Sequence, residues 1–66
     1  TGHHALGEIL LYQGQVDDAL TELRRAVELA PQDPGNHAAL AKALSAKGLT
    51  AEAEEEMRKA RPGQPQ

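Results

Sequence analysis

The sequence contains no cysteine, tryptophan or phenylalanine, and Tyr12 is its one aromatic residue. Without cysteine, the chain forms no disulfide bond, no cysteine-based zinc site and no thiol nucleophile. Basic residues are also few: seven lysines and arginines stand against ten acidic residues, and the formal charge is −3 at pH 7. Because nucleic-acid-binding domains usually carry a basic excess, we expect no nucleic-acid partner.

Long apolar runs are missing as well. The longest runs, such as residues 9–12, have four residues, whereas a membrane-spanning helix needs about 18 apolar residues or more. We therefore expect no membrane insertion. No signal peptide is visible, and because the chain opens on Thr1 rather than methionine we expect it to be a piece of a longer protein. The compartment stays unknown, with the cytoplasm slightly favoured.

In place of these features the sequence has an internal repeat. At an offset of 34 residues, eleven of the thirty-two compared positions are identical, where about three would be expected by chance. The identical pairs are His3/His37, Ala5/Ala39, Leu6/Leu40, Leu10/Leu44, Gly14/Gly48, Ala19/Ala53, Glu22/Glu56, Arg24/Arg58, Ala26/Ala60, Pro31/Pro65 and Gln32/Gln66. A period of this length indicates a repeat architecture.

Each unit of the repeat has the pattern of a helix, a short turn and a second helix. We predict four helices and no strands, with the helices at about 2–13, 16–30, 34–47 and 50–61. Asp33 and Pro34 are good residues for the start of the third helix, and Thr50 is a plausible cap for the fourth. The predicted stops are Gly14, Pro31, Gly48 and Pro62. Residues 62–66 are predicted to be a disordered tail.

Apolar residues recur at helical spacing and predict the interior of an all-α fold. The residues expected inside are Leu6, Leu10, Leu23, Leu40, Leu44 and Met57. The acidic run near the end of the chain is expected to be a solvated helix surface. In it, Glu54 with Arg58 and Glu55 with Lys59 have the spacing of i, i+4 ion pairs.

The repeat unit resembles the tetratricopeptide repeat, which has a 34-residue period. The first unit reads His3-x2-Leu6-Gly7-x2-Leu10, then Ala19-x3-Leu23, Ala26 and Pro31; the second reads His37-x2-Leu40-Ala41-x2-Leu44, then Ala53-x3-Met57 and Ala60. Histidine, aliphatic residues or methionine replace each large aromatic residue of the family pattern. The resemblance implies a superhelix of antiparallel helix hairpins, with two repeats at about 1–33 and 34–61.

The same resemblance implies a protein-interaction module that binds a peptide or protein segment in a concave groove. In this family the first helices of successive repeats line the groove. The matching positions here are His4, Glu8, Leu11, Tyr12, Ala38, Lys42 and Ser45. Leu11 and Tyr12 would be apolar anchors in the groove, or they would pack against a preceding helix. A clamp for a partner's C-terminal carboxylate is not expected, because Glu8 would repel it.

Nothing in the sequence predicts catalysis. Ser45 is the one serine and has no histidine at helical spacing, so we expect no catalytic residue and no enzyme activity. The three histidines lack the spacing of a metal site, and we expect no metal and no cofactor. Two alternatives to peptide binding stay open: self-association, as a homodimer through exposed stacking faces, and a structural appendage of a larger enzyme.

Overall fold

The computed structural model of the chain describes residues 2–60 and contains four α-helices. These are α1 (His3–Tyr12), α2 (Val16–Leu29), α3 (Pro34–Lys47) and α4 (Thr50–Lys59). No strand occurs in this part of the chain. The predicted all-α fold with four helices is therefore confirmed, and each helix start and end lies within two residues of its predicted position. The predicted tail at 62–66 lies outside the described residues.

The two turns inside the hairpins depend on glycine. Gly14 and Gly48 have φ angles of +83° and +91°, a left-handed conformation that only glycine adopts without strain. After Gly48, the backbone amide of Leu49 donates to the carbonyl oxygen of Leu44 at 2.8 Å. This bond satisfies a carbonyl group that the end of α3 would otherwise leave unpaired.

Helix starts differ in how well the sequence predicts them. The Asp33 side chain accepts a hydrogen bond from the Gly35 amide at 2.9 Å, and Pro34 is the first residue of α3, as predicted. The prediction for α4 is wrong, because Leu49 is its N-cap residue and Thr50 is already helical. Leu49 has no side-chain oxygen, so α4 begins without a side-chain cap.

The helices pack as two hairpins, α1–α2 and α3–α4, and α3 of the second hairpin packs against the first. Within the described residues, α1 contacts α2, α3 contacts α4, and α3 also contacts both α2 and α1. Helix α3 therefore has more buried positions than any other helix of the structure, and its alanines allow neighbours to approach on several sides. Its buried residues are Asn36, His37, Ala39, Leu40, Ala41, Ala43 and Leu44. The core consists of these apolar residues together with Ala19, Leu20, Leu23 and Ala53.

Helices α1 and α2 approach closely at Gly7. A Cβ atom on Gly7 would lie 2.5 Å from Cγ of Leu23, which is fully buried. Glycine is unfavourable inside a helix, so its presence here follows from packing. Leu23 fills the space that a side chain at position 7 would occupy.

Two of the six residues expected inside lie at the surface. Leu6 is 38% exposed and Met57 is 37% exposed, whereas Leu23, Leu40 and Leu44 are buried and Leu10 is half-buried. Leu6 lies on the first helix and Met57 on the last helix of the described stack. Each therefore lacks a neighbouring helix on one side, which residue type and spacing do not reveal.

Candidate functional site

The candidate site lies on α1 and α3, which are in direct contact. Asn36 joins them: its Oδ1 atom lies 2.6 Å from Nδ1 of His4. Its amide nitrogen donates to the carbonyl oxygens of Ala26, at 3.1 Å, and Ala30, at 3.4 Å. Because the amide nitrogen faces two acceptors, Oδ1 must accept, and His4 donates through Nδ1–H. Asn36 is buried and thus fixes α1, α3 and the end of α2 relative to one another.

On α1, the structure separates the predicted site residues by exposure. His4 is half-buried, and its Nε2 atom lies 3.4 Å from Oε1 of the exposed Glu8. Leu11 is half-buried and packs against the core, so part of its area already contributes to the fold. Tyr12 is 94% exposed. The free apolar area on this helix is therefore larger at Tyr12 than at Leu11.

On α3, Ala38 is half-buried, while Lys42 and Ser45 are exposed. Lys42 and Ser45 lie on the rim of a hollow of about 350 Å³ between α3 and α4, which we call the α3–α4 hollow. Its lining residues are Ala41, Lys42, Ser45, Thr50, Ala53, Glu54 and Met57. The sequence did not identify the α4 residues of this hollow as part of a surface with Lys42 and Ser45. The 34-residue period is the sequence signal that could have grouped these α4 residues with Lys42 and Ser45.

The sequence analysis also did not predict two histidine–glutamate pairs. Nδ1 of His3 lies 2.7 Å from Oε1 of Glu22, and Nδ1 of His37 lies 2.8 Å from Oε1 of Glu56. Both residues of the first pair recur 34 positions later as the second pair, so the repeat identities carried the signal. Each pair links the first helix of a hairpin to the second. The second pair is more buried, with side chains 7% and 15% exposed against 44% and 26%.

The ion pairs predicted on α4 form at a different spacing. Arg58 pairs with Glu55, and Lys59 pairs with Glu56, both at i, i+3 rather than i, i+4. Hydrogen bonding to Arg58 lowers the pKa of Glu55. The predicted i, i+4 pairs are therefore wrong: Lys59 pairs with Glu56, which also contacts His37, and Arg58 pairs with Glu55.

Across residues 2–60, no three His, Cys, Asp or Glu side chains cluster in a way that could hold a metal ion. None of the four helices described is long and apolar enough to cross a membrane.

A family model for the TPR repeat matches residues 7–48, well over half of the chain. The chain belongs to the TPR repeat family. No curated protein and no solved structure matches it. The TPR match begins inside α1 and ends after α3, so it covers Glu8, Leu11 and Tyr12 on the first helix and the three predicted residues of the third. His4 lies just before it.

Family membership supports a general role in protein interaction, since TPR repeats are typically non-catalytic scaffold domains. In this TPR chain, the hydrogen bonds of Asn36 give α1 and α3 a fixed relative position. The surface that they share is therefore preformed.

Proposed function

We propose that the chain is a non-catalytic interaction module that holds a peptide or protein segment along α1 and α3. In this proposal residues 1–33 and 34–61 are its two repeat units. One observation carries the proposal: α1 and α3 are joined by the His4–Asn36 hydrogen bond, yet both keep exposed side chains. A preformed surface loses less conformational entropy on binding than a mobile one does.

Exposed side chains on the two helices suggest the chemistry of the bound segment. Tyr12 offers a large apolar area with a polar hydroxyl group, a combination that is common at binding hot spots. Glu8 and Lys42 are 34 residues apart in the repeat, exposed and of opposite charge. A segment with both charge signs therefore fits better than a strongly acidic one.

A binding measurement tests the proposal. The probe is a peptide selected for binding to the chain from a displayed random library. Tyr12→Ala is expected to raise the Kd by about 5–30-fold, as measured by isothermal titration calorimetry. Because Tyr12 makes almost no internal packing contact, the circular dichroism spectrum should not change. The control is Glu55→Ala, on α4 and away from α1, which should leave the Kd unchanged.

Chemical-shift mapping with the same peptide locates the surface. Shifts are expected on α1 and α3, around Tyr12, Lys42 and Ser45. If the shifted amides lie mainly on α2 and on the α4 face that carries Glu55, the proposed surface is wrong.

A further inference from the structure

The exposed face of α1 corresponds to a buried face of α3. Leu6 and Ile9 are 38% and 50% exposed. The residues 34 positions later, Leu40 and Ala43, are 4% and 0% exposed, because α3 packs against the α1–α2 hairpin. Helix α1 thus presents to solvent the positions that α3 uses in the internal junction.

The α3–α4 hollow corresponds to the surface that receives α3. Each of its seven lining residues lies 34 positions after a residue of the α1–α2 hairpin, in the order Gly7, Glu8, Leu11, Val16, Ala19, Leu20 and Leu23. Ala19, Leu20 and Leu23 belong to the same core cluster as Leu40 and Leu44, and Leu11 and Val16 pack against that cluster. The hollow is therefore the counterpart, one repeat later, of a filled junction.

We propose that the exposed face of α1 in one copy docks into the α3–α4 hollow of a second copy. This contact goes beyond peptide binding, and it continues the packing of the internal junction from one molecule to the next. The two surfaces are different, so the contact is head-to-tail and can extend beyond two copies.

Side-chain differences make this contact weaker than the internal junction. Glu54 stands in the hollow where Leu20 stands in the hairpin, and Ser45 replaces Leu11. The buried Asn36, which ties the internal junction together, has its counterpart in Gly2, which lacks a side chain. We therefore expect monomers at low concentration and association at chain concentrations of about 0.1–1 mM.

The internal junction also has an ion pair that the contact between copies lacks. Lys47 of α3 pairs with Asp17 of α2. The corresponding residues at the proposed contact are Gln13 and Ala51, which form no ion pair. A surface ion pair contributes little to stability. The missing ion pair should therefore weaken the contact between copies less than the charge of Glu54 does.

Sedimentation velocity of the 66-residue chain tests the proposal. Glu54→Leu restores the leucine of the internal junction and should strengthen self-association about tenfold or more, because it removes an exposed charge that docking would desolvate and adds apolar area. The matched control is Glu55→Leu, which makes the same change next to a residue of the hollow but outside its lining. Tyr12→Ala should also leave self-association unchanged, since Ala46 at the equivalent position is exposed. That result separates this contact from the Tyr12 part of the peptide surface, whereas Lys42 and Ser45 belong to both surfaces.

A mixing experiment in the Glu54→Leu background tests the head-to-tail geometry. Leu6→Glu blocks the α1 face and keeps the hollow, whereas Met57→Glu blocks the hollow and keeps the α1 face. Both positions are more than a third exposed, so the fold should tolerate glutamate, and circular dichroism checks this. Each variant alone should be monomeric, and an equimolar mixture should form a heterodimer that grows no further.

Three results would overturn the proposal. The first is an equal sedimentation coefficient for Glu54→Leu and Glu55→Leu at 1 mM. The second is a mixture that stays monomeric although both variants are folded. The third is self-association of the Leu6→Glu variant alone, which would show a contact that does not use α1.

Discussion

At the scale of single residues, His37 is the side chain whose surroundings most restrict its chemistry. Its Nδ1 atom faces Oε1 of Glu56 at 2.8 Å, and its Nε2 atom faces the carbonyl oxygen of Pro31 at 2.5 Å. A neutral imidazole has one N–H group, so only the protonated ring can donate to both acceptors. The hydrogen bond to Glu56 raises the pKa of His37 above its ordinary value of 6.5, although burial and the charge of Lys59 oppose this effect.

We expect stability to fall as pH rises above neutrality. A histidine with a raised pKa in the folded state stabilises the fold fully below the unfolded-state pKa, near 6.5, and loses this effect as pH rises through the folded-state pKa. Urea unfolding of the wild-type chain should therefore show a lower midpoint at pH 8.5 than at pH 6. His37→Gln should lose about 1–3 kcal/mol at pH 6 and show a smaller change in midpoint with pH.

The repeat-equivalent variant His3→Gln is the control for this prediction. Since the His3–Glu22 pair is more exposed, its loss should cost less than about 1 kcal/mol. A wild-type midpoint that stays constant between pH 6 and pH 8.5 would show that the protonated form of His37 does not stabilise the fold.

At the scale of secondary-structure elements, the two hairpins solve the same packing problem with different residue pairs. Gly7 faces Leu23 in the first hairpin, and the equivalent positions in the second are Ala41 and Met57. Glycine leaves room for a branched side chain on the opposite helix, whereas alanine is combined with the flexible, unbranched methionine.

Gly7→Ala should destabilise the fold even though alanine favours helix formation. The gain in helix propensity is about 1 kcal/mol, but the new Cβ would overlap Leu23, and overpacking costs about 1–3 kcal/mol. We expect a net loss of about 1 kcal/mol in urea unfolding. The double variant Gly7→Ala/Leu23→Met reproduces the pair of the second hairpin and should recover most of this loss. A more stable Gly7→Ala variant would show that α1 and α2 can move apart at little cost.

At the scale of the whole molecule, a chain of 66 residues has a small core, and here it consists mainly of leucine and alanine. We expect an unfolding free energy of about 3–5 kcal/mol. The position of each helix in the stack then decides which leucines matter most. Leu6 and Leu40 occupy the same position in the repeat but differ widely in burial.

Leu40→Ala should cost about 2–4 kcal/mol, because it leaves a cavity in the core, and little folded protein should remain at 37 °C. Leu6→Ala should cost about 1 kcal/mol or less, since its side chain is partly solvated already. Chemical denaturation of both variants gives the comparison. Equal losses at the two positions would contradict the buried junction between α3 and the first hairpin.

The sequence predicted the features that depend on local chemistry. Gly14, Gly48 and the Asp33–Pro34 pair determine turns and a helix start through their own backbone preferences, and the 34-residue period identified the family. Burial of Leu6 was predicted wrongly, because it depends on a helix packed against α1 and not on Leu6 itself. The contacts of Asn36 were missed for a similar reason: they join α1, α2 and α3, and no spacing along the chain encodes them. The groove residues stay a prediction, for which Tyr12→Ala is the test.

The packing of α3 against both the first hairpin and α4 determines how cooperatively the chain folds. Its buried residues are shared between the two hairpins, so neither hairpin buries its apolar face until α3 is in place. The two hairpins should thus form one cooperative unit rather than two independently folding halves. Native-state hydrogen exchange would then show α2 and α3 opening together, at a free energy close to that of global unfolding. A chain cut after residue 33 would lose the helix that closes its first half.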